Sequence, residues 1–156
     1  MRSSLTRRAF LTQALAVGAA LPVAGRLTPA KTRQILLGTA GGPTPKKTRA
    51  APSQAIVIDD RLYVVDCGNG VARQLVLAGL QLASIRHVFI THHHSDHSAD
   101  YGTLLLLAWG DALRTRVDTW GPPPLVRMTS LFFEMSRPDL AILSHFAAPL
   151  WVLSRS

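Results

Sequence analysis

The segment that decides the fold is residues 91–97, Thr-His-His-His-Ser-Asp-His, which places four histidines and one aspartate within six consecutive positions. Its core pattern is His-x-His-x-Asp-His. Side chains at alternate positions of an extended chain share one face, which predicts that the ligands converge. Imidazole nitrogen and carboxylate oxygen are ligands that zinc accepts. A histidine-rich polar surface loop is the alternative. The predicted metal ligands are His92, His94, Asp96 and His97.

The flanks of this loop predict an α/β fold. Residues 86–90 form a short apolar, β-branched run typical of a buried strand, and a leucine-rich run of helical length follows around 103–113. The ligands therefore lie at the carboxyl end of a strand, where open α/β folds place their sites. Loop and strand together resemble the metallo-β-lactamase superfamily, closest to its ribonuclease Z and arylsulfatase-like branch.

Further segments extend the resemblance over about residues 34–140. A strand at 34–37 enters Gly-Thr-Ala-Gly-Gly-Pro at 38–43, which resembles the opening of that branch. Strands at 54–58 and 62–65 predict a hairpin, and Asp66 follows in an Asp-x-Gly loop before a helix at 71–80. The resemblance implies that Asp66 braces the metal loop through hydrogen bonds.

The last predicted elements are a strand at 117–120 and a helix at 125–135. Residues 141–156 show neither the next strand nor the next metal residue that the resemblance implies. The expected fold class is α/β, a metallo-β-lactamase-like αββα sandwich of which this chain is only the first αβ half. A frameshift product at 141–156 is one explanation of the apparent truncation.

The charge is distributed unevenly. Residues 1–58 carry nine Lys or Arg and no acid, whereas residues 59–156 carry eight bases against nine acids, which accounts for the formal net charge of +8. The excess therefore belongs to the leader and first loops, and nucleic-acid binding through an extended basic patch is weakly supported. In the first loop, Lys46, Lys47 and Arg49 are predicted to be solvated, a substrate-anion role being the alternative. The single cysteine, Cys67, is predicted to be a small buried residue.

The amino terminus predicts export. Residues 4–11, Ser-Leu-Thr-Arg-Arg-Ala-Phe-Leu, closely resemble a twin-arginine signal, and a short apolar run follows at 14–24. An uncleaved amphipathic helix is the alternative. We expect a signal peptide at 1–25, a metallo-β-lactamase-like domain at 26–156, no stable membrane anchor, and a periplasmic or extracellular location.

The resemblance implies two zinc ions, the first held by the two histidines at 92 and 94, the second by Asp96 and His97. Asp96 would also orient the attacking water. A further histidine for each ion and a bridging aspartate come from later segments in the family. Here only His145 lies downstream, as a minor candidate for the first site, and Asp139 is no convincing bridge.

The resulting function hypothesis is a dinuclear zinc hydrolase that cleaves a phosphate or sulfate ester of a small molecule through zinc-activated water, inactive if truncated. The alternative is a non-catalytic metal- or partner-binding module. A homo-oligomer or a second, completing chain is an expected partner. A ribonuclease is disfavoured by export and by the near-neutral charge of residues 59–156.

Overall fold

The computed structural model describes residues 31–143 and 152–155. The predicted signal peptide at 1–25 and His145 lie outside these ranges. The described residues form one mixed six-stranded sheet, with the strands in chain order across it. The first three strands pair antiparallel, and the third to the sixth run parallel. The strands are β1 Thr32–Gly38, β2 Ser53–Ile58, β3 Arg61–Val65, β4 Ile85–Phe89, β5 Val117–Trp120 and β6 Val152–Arg155.

The helices connect the parallel strands, as βαβ geometry requires. After a 3-10 turn at Leu82–Ser84, the fourth strand leads into the predicted metal loop. No helix among the described residues has the length and apolarity needed to cross a membrane. The helices are α1 Val71–Leu77, α2 Ser95–Ser98, α3 Tyr101–Gly110, α4 Leu125–Met135 and α5 Arg137–Leu143.

The predicted elements largely match these bounds. The hairpin turn between β2 and β3 is made by Asp59 and Asp60, whose φ angles of 46° and 65° fit a turn with two left-handed central residues. The expectation that no strand follows residue 140 is wrong, because β6 pairs parallel with β5 over Val152–Arg155. Its short run lacks the alternation that marks a half-buried strand, since a parallel strand need not show one.

The core lies between one face of the sheet and the helices. Buried residues of the strands alternate mostly with half-buried ones, and the buried ones pack against apolar residues of α1 and α3. The fully buried members include Leu62, Val64, Ile85, Val88, Leu75 and Leu104. This packing fixes the carboxyl end of β4, from which the metal loop starts.

The opposite face of the sheet carries a row of rings. Tyr63 stacks on His87 at 5.1 Å between centroids, His87 on Phe89 at 6.1 Å, and Phe89 on Trp120 at 6.5 Å. The Arg155 guanidinium carbon lies 5.2 Å from the Trp120 ring centroid. His87 is therefore part of a row of packed rings on this face of the sheet.

Candidate metal centre

The metal loop begins where β4 leaves the sheet. The backbone N–H of Ile90 still donates to the carbonyl of Trp120 at 2.7 Å, but the next N–H, that of Thr91, donates to the carboxylate of Asp66 at 2.8 Å. Asp66 lies at the end of the neighbouring strand β3 and is buried. Its φ of 60° turns the chain at that point. The two strand ends are thus joined through one carboxylate.

The first pair of predicted ligands is His92 and His94. Nε2 of His92 and Nδ1 of His94 lie 3.1 Å apart. Two ligand atoms of one tetrahedral zinc, at bonds of about 2.0–2.1 Å, are separated by roughly 3.3 Å. The two rings therefore present their nitrogen atoms at nearly the separation that one ion requires.

The second pair is Asp96 and His97, whose Oδ2 and Nε2 atoms lie 3.7 Å apart. Both residues belong to the short helix α2, not to an extended segment. The prediction that Asp96 reaches the site by strand alternation is therefore wrong in its reason. A helical turn after His94 brings Asp96 and His97 to the same place, and the centroids of the His92 and His97 rings are 4.1 Å apart.

The Asp66 carboxylate orients one histidine of each pair. His97 donates from Nδ1–H to Asp66 Oδ2 at 2.8 Å, which leaves its Nε2 lone pair free. Thr91 Oγ1 donates to the same carboxylate at 2.9 Å and can then accept Nδ1–H of His92 at 3.0 Å. His92 Nε2 then faces His94 Nδ1, 3.1 Å away. The bracing role predicted for Asp66 is confirmed, and it extends to His92 through Thr91.

Contacts from distant segments hold the loop further. The backbone N–H of Gly42 donates to Asp96 Oδ2 at 2.9 Å, across 54 positions of sequence. The carboxylate of Asp100 accepts the N–H of Gly70 at 2.6 Å. Cys67 N–H donates to the carbonyl of His97 at 2.7 Å. Sequence reasoning missed the Gly42 contact, for which the glycine-rich run at 38–43 was the only signal.

Cys67 is fully buried beside this network, as predicted. Burial, together with the negative charges of Asp66 and Asp100, raises the pKa of its thiol far above the ordinary value. The group therefore stays protonated at neutral pH. A protonated, buried thiol is neither a nucleophile nor a metal ligand.

The remaining histidine of the loop, His93, points away from the ligands. Its Nε2–H donates to the carbonyl of Pro122 at 2.7 Å, and its Nδ1 is buried without a hydrogen-bond partner. Asp139 is exposed on α5 and forms no hydrogen bond or ion pair with other described residues. His145 falls outside the described ranges, and its predicted minor role stays a prediction.

The described residues fit a metal in the type of their ligand atoms but not in number. Within residues 31–143 and 152–155, no three His, Cys, Asp or Glu side chains are grouped to hold one ion. The loop offers two ligand atoms to each of two ions, whereas protein zinc sites normally supply at least three. Any further ligand has to come from outside the described residues.

The middle of the chain is similar to a known superfamily. Residues 49–123 match the model of the metallo-beta-lactamase superfamily. The superfamily generally binds metal ions, in line with the ligand types of residues 92–97. The predicted α/β metallo-β-lactamase fold class is confirmed.

Several of the proteins to which the chain is similar are named as ribonucleases. The chain is 39% identical over 90 residues to a ribonuclease Z of Mycobacterium sp. (strain KMS), covering 56% of this chain and 31% of that protein. The crystal structure of human tRNase Z, short form, aligns with a TM-score of 0.63 at 25% identity, over 80% of this chain and 44% of that one. A long-form RNase Z from yeast aligns at 13% identity with a TM-score of 0.59, over 79% of this chain and 17% of that one.

The chain spans less than a third of the length of this mycobacterial relative.

These similarities overturn the partner prediction. A small-molecule ester substrate without a nucleic-acid partner is wrong, because the relatives are named as ribonucleases. That prediction relied on the near-neutral net charge of residues 59–156. A net charge does not show where individual cationic side chains lie in the fold.

Proposed function

We propose that this chain contributes the metal-binding loop of a zinc-dependent hydrolase that cleaves RNA phosphodiester bonds. The observation that carries the proposal is the arrangement of four ligand atoms in two pairs, 3.1 Å and 3.7 Å apart, on one braced loop. The naming of relatives as ribonuclease Z supports an RNA substrate. Two zinc ions, when bound, would supply Lewis acidity and a water of lowered pKa.

The residues of the loop have distinct tasks in this proposal. His92 and His94 would hold the first ion, and Asp96 and His97 the second. Asp96 would also orient a water toward a phosphorus atom, and the Gly42 N–H donates a hydrogen bond to its Oδ2. Asp66 holds Nδ1–H of His97, so that Nε2 faces the site. These contacts position the proposed ligands.

A zinc-binding and RNA-cleavage experiment tests the proposal. The full chain is titrated with zinc against a competing chelator, and cleavage of a fluorescently labelled RNA is followed in parallel. His94→Ala removes one ligand of the first ion and is expected to abolish cleavage and weaken zinc binding at least tenfold. His87→Ala is the matched control, because His87 stacks on Tyr63 on the sheet face and touches no predicted ligand.

Each outcome has a clear meaning. Zinc binding that is equal in wild type and His94→Ala would refute the metal site. Zinc binding that depends on His94 without RNA cleavage would favour the second candidate, a non-catalytic metal-binding module. That candidate rests on one observation, the two ligands per ion among the described residues.

We also propose that the chain is exported by the twin-arginine route, on the basis of Arg7 and Arg8 in the amino-terminal signal pattern. Cell fractionation tests this, with a variant in which both arginines are replaced by lysine. The wild-type chain is expected in the exported fraction and the variant in the cytoplasm. Equal distribution of the two chains would show that the pattern is not an export signal.

A further inference from the structure

The chain contains one asparagine, Asn69, and the residue after it is a glycine. An asparagine followed by glycine is the pair that deamidates most readily, because glycine has no side chain to keep its backbone nitrogen away from the carboxamide. Asn69 is exposed, and Gly70 has a left-handed φ of 88°. The pair ends the turn at 66–70, which joins β3 to α1. The proposed metal chemistry uses neither residue.

Hydrogen bonds join this turn to the segment at 96–100, where the metal loop ends. Cys67 N–H donates to the carbonyl of His97 at 2.7 Å, and Asp100 N–H donates to the carbonyl of Cys67 at 2.9 Å. The Asp100 carboxylate reaches the asparagine–glycine pair. Its Oδ2 accepts Gly70 N–H at 2.6 Å and the side-chain Nδ2–H of Asn69 at 3.4 Å. Asp100 therefore holds both nitrogen atoms that take part in deamidation.

Deamidation uses these two nitrogen atoms in opposite roles. The backbone nitrogen of Gly70 forms a bond to Cγ of Asn69, the Cγ–Nδ2 bond breaks, and Nδ2 leaves as ammonia with the proton that the Gly70 nitrogen has lost. Water then opens the succinimide ring at either carbonyl carbon, which leaves aspartate or isoaspartate at position 69. A carboxylate 2.6 Å from the Gly70 nitrogen opposes the negative charge that this nitrogen acquires when it loses its proton. The bond to Asp100 therefore has to open before the attack.

We propose that Asn69 is a site of spontaneous deamidation and that the Asp100 carboxylate controls its rate. While the segment at 96–100 contacts the turn, Asn69 is exposed but its reaction is blocked. When that contact opens, the pair reacts at a rate set by the fraction of open molecules. The product is a second carboxylate beside Asp100, and isoaspartate also lengthens the main chain by one carbon. Both changes oppose renewed contact, and they loosen the turn that carries Asp66.

Mass spectrometry of the intact chain measures the reaction, because the sequence has no second asparagine. The full chain is incubated at mildly alkaline pH in buffer and in urea, and peptide mapping locates the change. The folded chain should deamidate at least about tenfold more slowly than the unfolded chain, since a hydrogen bond to a charged group has to open first. Asn69→Gln should remove the rapid mass gain in urea. Equal rates in buffer and urea would overturn the proposal.

Replacement of the acceptor tests the role of Asp100. Asp100→Ala should raise the rate in buffer about tenfold. Asp111→Ala is the matched control and should leave the rate unchanged, because Asp111 is an exposed aspartate at the end of α3. If circular dichroism shows that Asp100→Ala does not fold, Asp100→Asn decides instead. It keeps an oxygen acceptor without the charge, and a rise of about threefold is expected. A wild-type rate in the folded Asp100 variant would overturn this role.

The effect of the product is measured with Asn69→Asp, which carries the second carboxylate from the start. Hydrogen exchange of the Gly70 amide should be about two- to fivefold faster than in the wild-type chain, the size expected for a charge pair near solvent. Asn69→Gln is the uncharged control. Equal exchange in the two variants would show that the product does not disturb the turn. None of these measurements needs zinc or RNA, so this inference and the proposed function can fail separately.

Discussion

Replacement of Asp66 by Asn gives the sharpest test of how the loop is organised. The φ of 60° at this position is one that asparagine tolerates, so the backbone keeps its path. The amide oxygen can still accept from the N–H and hydroxyl of Thr91. The amide nitrogen, however, must replace the oxygen that faces His97 Nδ1 at 2.8 Å.

An N–H group cannot accept the Nδ1–H of His97. The imidazole therefore moves its proton to Nε2 so that Nδ1 can accept from the new amide. Nε2 is the proposed ligand atom, and a protonated Nε2 cannot bind zinc. We expect zinc affinity to fall by about 10–100-fold, the usual range when an outer hydrogen-bond partner of a ligating histidine is lost. The free energy of unfolding should fall by about 1–1.5 kcal/mol, since a hydrogen bond to a charged group is replaced by one between neutral groups.

Zinc titration against a chelator and urea unfolding measure the two effects on the same protein. Asp60→Asn is the matched control, because Asp60 also has a left-handed φ, of 65°, but is exposed on the β2–β3 turn. It should change unfolding by no more than about 0.5 kcal/mol. Zinc affinity of Asp66→Asn within twofold of wild type would refute the tautomer argument.

Three further predictions concern the support of the loop. A Cβ on Gly68 would lie 2.2 Å from the carbonyl oxygen of Asp96, so Gly68→Ala should cost about 1–3 kcal/mol in urea unfolding and weaken zinc binding, whereas Gly41→Ala, with nothing within 4 Å, should cost neither. The Cys67 thiol should resist alkylation at neutral pH in the folded protein and react once it is unfolded; rapid reaction of the native protein would contradict its buried, protonated state. Tyr101→Phe removes a buried hydroxyl hydrogen-bonded at 2.7 and 3.0 Å and should lower unfolding free energy by about 1–3 kcal/mol, while an unchanged urea midpoint would argue against that network.

The elements of the fold could be predicted because a local sequence pattern indicates each of them. The hairpin of β2 and β3 has alternating burial around a turn of two aspartates, and α4 matches its predicted bounds at Leu125–Met135. The metal loop is predicted from its ligand types together with the strand that precedes it. The extended geometry predicted for the loop is wrong at α2. The turn of α2 depends on backbone hydrogen bonds, such as the one from His97 N–H to the carbonyl of His94 at 2.9 Å. Residue types do not specify such a turn.

The surroundings of the loop could not be predicted for a different reason. Gly42 and Asp96 are 54 positions apart, and Arg73 joins the lysines of the first connection only through the fold. When charges are counted by segment, Lys46, Lys47 and Arg49 belong to an amino-terminal excess of positive charge. Residues 59–156 then count as nearly neutral. A sum over residues contains no information about which cations share a cleft.

Hydrogen bonds within the loop orient its proposed ligands. Asp66 directs one histidine of each pair, and the Gly42 N–H directs Asp96 from the opposite side. All three bonds are made among described residues alone. Residues that complete the coordination of each ion would therefore add affinity without having to order the loop. Loss of the Asp66 carboxylate should consequently weaken both metal positions, whereas loss of one ligand, such as His94, should weaken chiefly its own.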